Sequence, residues 1–138
     1  MAKYLLIVDY NGGDVDTPMD EWAPEEITAH MDYYGALRQE LLDSGELFDQ
    51  HALTGPEHAK VVTWDGSGAP VVSDGPFAES KEMLAGFQIV DVVDEARAIE
   101  IAAKISCVPG PGGVPQRQPI TVRRVMDAAD YELLTSEV

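Results

Sequence analysis

An imidazole can take up or release a proton near neutral pH, and this 138-residue chain holds three, His30, His51 and His58. His30 lies four residues before Tyr34 and seven before Leu37, which at helical spacing puts it on the flank of an apolar stripe and off the solvent face. A histidine placed there can act as general acid or base once another group orients its ring. The same position also suits a histidine that is simply hydrogen-bonded at the edge of a core. Arg38 falls among Met31, Tyr34, Leu41 and Leu42 on the inward side of the same helical pattern. A buried guanidinium is costly unless it is paired or faces a cleft. Arg38 is therefore expected either to clamp an anionic ligand or to pair with an acid such as Asp74.

The second group is SDGPFAESKEMLAGF, running from Ser73 to Phe87. Asp74 can accept backbone N–H bonds in a turn, Gly75 gives freedom, Pro76 fixes φ, and Phe77 can anchor the loop in apolar surface. One rigid turn accounts for all four. A rigid turn at a sheet end would also present Asp74, Glu79, Lys81 and Glu82 to a cleft, and Lys81 stands out because cations are scarce. Arg38, Lys81 and Phe77 are thus the ligand-binding candidates.

Other chemistries have little support. His51 and His58 are separated by a Gly-Pro break, and no Cys or His cluster has metal-ligand spacing. PGPGG, at 109–113, lacks the Lys-Ser/Thr of a phosphate loop. With no dinucleotide fingerprint either, no metal and no cofactor is expected. Cys107 reads as an inert residue at a helix end. Trp22 and Trp64 could line a pocket for a flat organic ligand or belong to the core.

These residues must be held by a frame, and the frame is legible. Lys3–Tyr10 reads as a strand with apolar residues on both faces, after which 11–23 is an acidic loop. Pro24 opens a helix that ends before Gly45, a good residue for the left-handed position past a helix end. Glu46–Leu53 follows as a strand. Ala59–Asp65 and Pro70–Ser73 form a hairpin around Gly66-Ser67-Gly68. Met83–Val93 is another two-faced strand, Asp94 caps a second helix from Glu95 to about Ser106, and 108–119 is loop. Ile120–Met126 is the last strand, and 127–138 is an acidic tail expected to pack weakly.

The order strand, helix, strand, hairpin, strand, helix, strand predicts a single α+β domain over residues 1–138. It is a ferredoxin-like βαββαβ unit with an extra hairpin. Two helices cover only one face of one sheet, so the two-faced strands call for a second cover. The sheet of an identical subunit is the simplest, giving a homodimer.

The formal net charge of −16, from 25 acidic and 9 basic residues, excludes direct nucleic-acid binding, which needs clustered cations, and disfavours anionic membranes. No apolar run approaches a membrane span. The start reads as a strand and not a secretory signal, and with a single Cys the chain is expected in the cytoplasm.

DGPFAESKEMLAGF, followed by IVDV and a helix beginning DEA, resembles the DGPF branch of the YciI-like (YCII-related) proteins, as do WAPEEITAHM, LLDSGEL, GPEHAKVV and PVVSDGPF. The resemblance runs from Lys3 to Met126. It implies a dimeric α+β barrel, a superfamily that includes small-molecule isomerases, lyases and monooxygenases. The wider YciI-like family outside this branch implies an acid/base pair of a first-helix His with a nearby Asp. His30 takes the helix position; Asp43, near the helix end, and Asp74 are the carboxylates that could partner it. Some members are encoded beside or fused to sigma factors of the extracytoplasmic-function type. Two functions follow: a small-molecule enzyme of lyase or isomerase type acting on a small anionic or aromatic ligand, or a non-catalytic ligand-binding or regulatory module of a sigma-factor pathway.

Overall fold

The computed structural model describes residues 1–9, 15, 17–75 and 84–136. Its core is a four-stranded antiparallel sheet built from β1 (Ala2–Asp9), β2 (Leu47–Ala52), β5 (Leu84–Val92) and β6 (Ile120–Arg124) in the order β2-β5-β1-β6. The remaining strands, β3 (Lys60–Thr63) and β4 (Val71–Asp74), form a separate two-stranded hairpin. Two long helices, α1 (Pro24–Ser44) and α2 (Glu95–Ser106), connect the strands. This order and connectivity are compatible with a ferredoxin-like α+β fold interrupted by a hairpin between its second and third core strands.

Alternation along the strands divides the sheet into two faces. Tyr4 and Leu6 of β1 and Val90 and Val92 of β5 are buried with Leu37 and Leu41 of α1 and Ala98, Ile101, Ala102 and Ile105 of α2. The intervening Leu5, Ile7, Phe87 and Ile89 lie on the opposite face and are only half-buried. Register pairs Leu5 with Ile89 and Ile7 with Phe87, so the four form a contiguous apolar patch.

The helix signals in the sequence have direct structural counterparts. Pro24 stands at the start of α1, and Gly45 past its end has φ 76°, the left-handed conformation that glycine adopts without steric cost. Asp94 caps α2 by accepting the Arg97 N–H at 2.9 Å. In the hairpin, Gly66 and Gly68 take φ of 92° and 69°.

One expectation needs correction. The buried stripe of α1 runs through His30, Tyr34, Leu37 and Leu41, whereas Met31 is 57% and Leu42 43% exposed. Arg38, one residue and about 100° beyond Leu37, is therefore exposed and not on the inward face. The acidic tail also contains a short helix, α3 (Ala128–Thr135), capped by Asp127, whose side chain accepts the Asp130 N–H at 3.0 Å. Arg124 holds Asp130 through two bonds of 2.7 and 2.6 Å. No side chain of α3 is buried.

Candidate functional site

An open cleft of about 890 Å³ lies where the N-terminal half of α1 meets the ends of β2 and β5. Two histidines line it, and of these His30 is only 8% exposed. Two aromatic rings fix the imidazole edge-on: Trp22 at 5.4 Å between centroids and Tyr34 at 5.1 Å. Trp22 is in turn held by its indole N–H, which donates to the Thr17 carbonyl at 3.0 Å. Burial pushes the Tyr34 phenol above its ordinary pKa, so it is neutral at physiological pH.

The loop after α2 orients the His30 ring. His30 Nδ1 lies 3.0 Å from the Pro109 carbonyl oxygen. A carbonyl only accepts, so Nδ1 donates there, and in the neutral tautomer the lone pair then falls on Nε2. The Gln116 carboxamide also reaches Nδ1, at 3.2 Å. With Nδ1 protonated, its oxygen belongs on that side, an exchange that a half-turn of the amide makes. Nε2 makes no hydrogen bond among the described residues, and the ring lines the cleft.

That loop is rigid despite its glycines and prolines. Val108 is fully buried. Gly110 N–H donates to Val114 O at 2.9 Å and Gln116 N–H to Val108 O at 3.0 Å. Glu26, in the first turn of α1, accepts the Ala23 N–H at 2.9 Å and also the Gly112 N–H, which ties the loop to the helix. Both bonds favour the charged carboxylate, that from Gly112 most, and hold Glu26 below its ordinary pKa. Arg117 takes φ 54°, and the residues on either side of it, Gln116 and Gln118, both line the cleft. Gln118 is fastened through its side-chain N–H to the Asp9 carbonyl at 2.8 Å.

The far wall comes from the β2–β5 pair. Gln50 stands directly across from Gln88, His51 from Phe87, and Ala52 from Gly86. Gly86 stands close against β2: a Cβ would sit 3.0 Å from the His51 carbonyl oxygen and 3.3 Å from the Ala52 Cα, so a side chain there would push on the backbone. Asp20 and Glu57 also line the cleft, and no Lys or Arg does among the described residues.

The structure places the sequence candidates unevenly. His30 and Trp22 are brought into the cleft together. Asp74 is at the end of the hairpin, where its exposed carboxylate pairs with Lys60. The ring contacts of His30 are with Trp22, Tyr34, Pro109 and Gln116, and include neither Asp74 nor Asp43. Asp43 accepts from Gln39 at 2.8 Å on the exposed side of α1. Arg38 is on that exposed side too. Phe77 and Lys81 lie outside the described residues, as do Pro76, Glu79 and Glu82. Among the described residues there is no cluster of His, Cys, Asp and Glu that could hold a metal ion, and no helix is long and apolar enough to cross a membrane.

Sequence reading missed the glutamines. Gln88 shares its face of β5 with Val90 and Val92, and a polar residue at an inward position was the available signal. Nothing local marks Gln50, Gln116 or Pro109, which reach the cleft through long-range pairing.

Two comparisons with known proteins bear on this arrangement. Residues 2–121 match the profile of the YCII-related domain. An uncharacterised protein of Rhizobium meliloti (strain 1021) is 32% identical over 85 residues, which span 62% of this chain and 68% of that protein.

Proposed function

The chain belongs to the YCII-related family, and from that premise we propose that it is a small-molecule enzyme in which His30 performs acid/base chemistry of lyase or isomerase type. One observation carries the reading: Nδ1 is engaged by the Pro109 carbonyl at 3.0 Å, which leaves Nε2 as the proton acceptor of a ring held at the cleft. A backbone carbonyl serves as orienting group as well as a carboxylate does, so neither Asp74 nor Asp43 is required as partner. The aromatic rings Trp22 and Tyr34 suit a flat ligand. Lys81 and Phe77 remain candidates to complete its grip; Arg38, if it binds a ligand, does so from the exposed side of α1.

We further place the chain in the DGPF branch, on the strength of Asp74-Gly75-Pro76-Phe77, and in the cytoplasm. The half-buried patch of Leu5, Ile7, Phe87 and Ile89 supports a second copy as the cover of the open sheet face, completing a dimeric α+β barrel.

The experiment for the enzyme reading is deuterium wash-in. Pools of small carbonyl metabolites are incubated with the protein in D2O and read by mass spectrometry. Wild type incorporates deuterium at a carbon-bound position, and His30→Gln does not. Wild type that incorporates none removes the acid/base role.

A second reading, a non-catalytic regulatory module linked to a sigma-factor pathway, is favoured by the hairpin. Val61, Val62, Trp64, Val71 and Val72 are between 46% and 66% exposed there, and an isolated two-stranded hairpin is marginally stable alone. On that reading His30→Gln leaves partner binding intact, whereas Val62→Asp abolishes it.

A further inference from the structure

We propose that the side-chain N–H groups of Gln50 and Gln88 form a donor pair for the carbonyl oxygen of a planar ketone or aldehyde, and that they hold the negative charge on that oxygen while His30 removes a proton from the adjacent carbon. The inference rests on the acid/base reading of His30 and adds the groups that stabilise the charge this base creates.

On the helix-facing side of β5, Gly86, Val90 and Val92 are joined by one polar residue, Gln88, which is 4% exposed. Gln50 stands across from it on β2, and both residues line the cleft. Neither side chain serves the fold through a hydrogen bond. The two amide oxygens are sealed and accept none among the described residues, whereas the amide nitrogens are not sealed and have no acceptor there. Polar groups this far from bulk water are nearly always paired, because an unpaired one forfeits its hydration. Of the two ways to place such a carboxamide, oxygen inward is the cheaper, since an orphaned N–H is rarer than an under-satisfied carbonyl oxygen. The donors therefore belong on the cleft side.

Trp22 and Tyr34 offer flat surface between the two walls, and His30 stands on the helix wall with Nε2 free of protein partners among the described residues. A base on one wall and a donor pair on the other are the two parts needed to abstract a proton beside a carbonyl. The C–H bond breaks, its proton goes to Nε2, its electron pair forms the C=C bond, and the carbonyl π pair moves onto oxygen. Hydrogen bonds to that oxygen strengthen as the charge develops, so the pair favours the enolate over the ketone. Return of the proton to another carbon of the enolate gives isomerisation, and departure of a β-substituent with its electron pair gives elimination.

Two ligands differing by one oxygen, 4-nitrophenol and nitrobenzene, test the pair, because a phenolate is a stable planar oxyanion. The full chain is titrated in wild type, Gln88→Met and Gln50→Met, reading phenolate absorbance and the side-chain N–H signals of both glutamines by NMR. Methionine keeps the volume and deletes the donors. Wild type is expected to prefer the ion, so that bound 4-nitrophenol ionises at lower pH than the free compound, with the N–H signals of both glutamines displaced. Each methionine variant is expected to weaken phenolate binding by about tenfold or more while leaving nitrobenzene binding little changed. Gln50→Met, on the edge strand, carries the test if Gln88→Met does not fold.

Phenolate held equally well by wild type and both variants overturns the proposal, as does a bound phenol that ionises no more readily than the free one. Neither result touches His30, whose deuterium wash-in is read without a phenol. Wash-in absent from wild type while the glutamines hold the phenolate would keep the donor pair and overturn the proton transfer assigned beside it. Failure of wild type to bind either compound overturns the pair as a ligand site.

Discussion

Glu26 and Gly112 are 86 positions apart in the chain, and the carboxylate of one accepts the backbone N–H of the other. The same carboxylate accepts the Ala23 N–H at the start of α1, so one side chain fastens the helix carrying His30 to the loop carrying Pro109. Catalytic geometry depends on such supports as much as on the reacting group. Glu26→Gln halves the acceptor capacity and removes the charge. We expect it to lower amide-exchange protection at Gly113 and Gln116 while leaving α2 untouched. The pH dependence has a definite sign. Glu26 is depressed from 4.5, by the Gly112 bond first and the Ala23 bond second, so the contact is fully present above that value and is lost as pH falls through the lower folded value. Protection factors at Gly113 that do not change between neutral and strongly acidic pH would contradict this.

Glu46 and Arg97 form the second support. Two bonds of 2.9 Å join them, with 14% of the Glu46 side chain and 24% of the Arg97 side chain exposed. The pair links the segment entering β2 to the first turn of α2. The Arg97 bond holds Glu46 below 4.5, and the pairing raises Arg97. Because the acid is the depressed partner, its contribution exists above the ordinary carboxylate value and fades as pH falls through the folded one. Glu46→Gln is expected to cost on the order of 1 kcal/mol at neutral pH, part of the gain being lost to nearby solvent. In urea unfolding that difference from wild type should close as the pH falls below the ordinary carboxylate range. A constant difference across the range would assign the effect to packing.

Spacing alone suggests an inward side for both Arg38 and Leu41, and only Leu41 takes it. Leu41 is 1% exposed beneath the sheet, and Leu41→Ala should cost about 2–5 kcal/mol. Arg38 is exposed, and Arg38→Ala should stay within about 0.5 kcal/mol of wild type. Urea unfolding of the two variants decides it, and a large loss for Arg38→Ala would restore the inward pairing that the sequence suggested.

The contrast shows where sequence stops being informative. Strand and helix positions were legible because Pro24, Gly45, Asp94 and the Gly66–Gly68 turn act on their own neighbourhoods. The face of α1 was harder, since Met31 and Leu42 are apolar yet exposed, and hydrophobicity alone cannot separate a buried residue from an exposed one at the edge of a stripe. His30 was found because helical periodicity is local. Its orienting group was not, because a backbone carbonyl 79 positions away carries no side-chain signature. The glutamine pair escaped for a related reason: Gln50 and Gln88 become neighbours only through the register of β2 on β5.

The apolar patch on the open sheet face makes the last prediction. Leu5 faces Ile89 and Ile7 faces Phe87 across the β1–β5 ladder, and all four are half-buried. Full burial of a large apolar side chain is worth about 1.5–3 kcal/mol, and completing it for these partly covered ones adds a fraction of that each. In a two-fold dimer each contribution counts twice, and so does each defect. Ile7→Lys puts two ammonium groups into the centre of such an interface, and it should weaken association by about a hundredfold or more. The helix-facing core of Leu6 and Val90 is untouched by the change, so far-ultraviolet circular dichroism should be retained. Light scattering at micromolar concentration then reads the outcome: twice the chain mass for wild type and the single chain mass for Ile7→Lys. A wild type that scatters as a monomer would leave the sheet face without the second copy proposed for it.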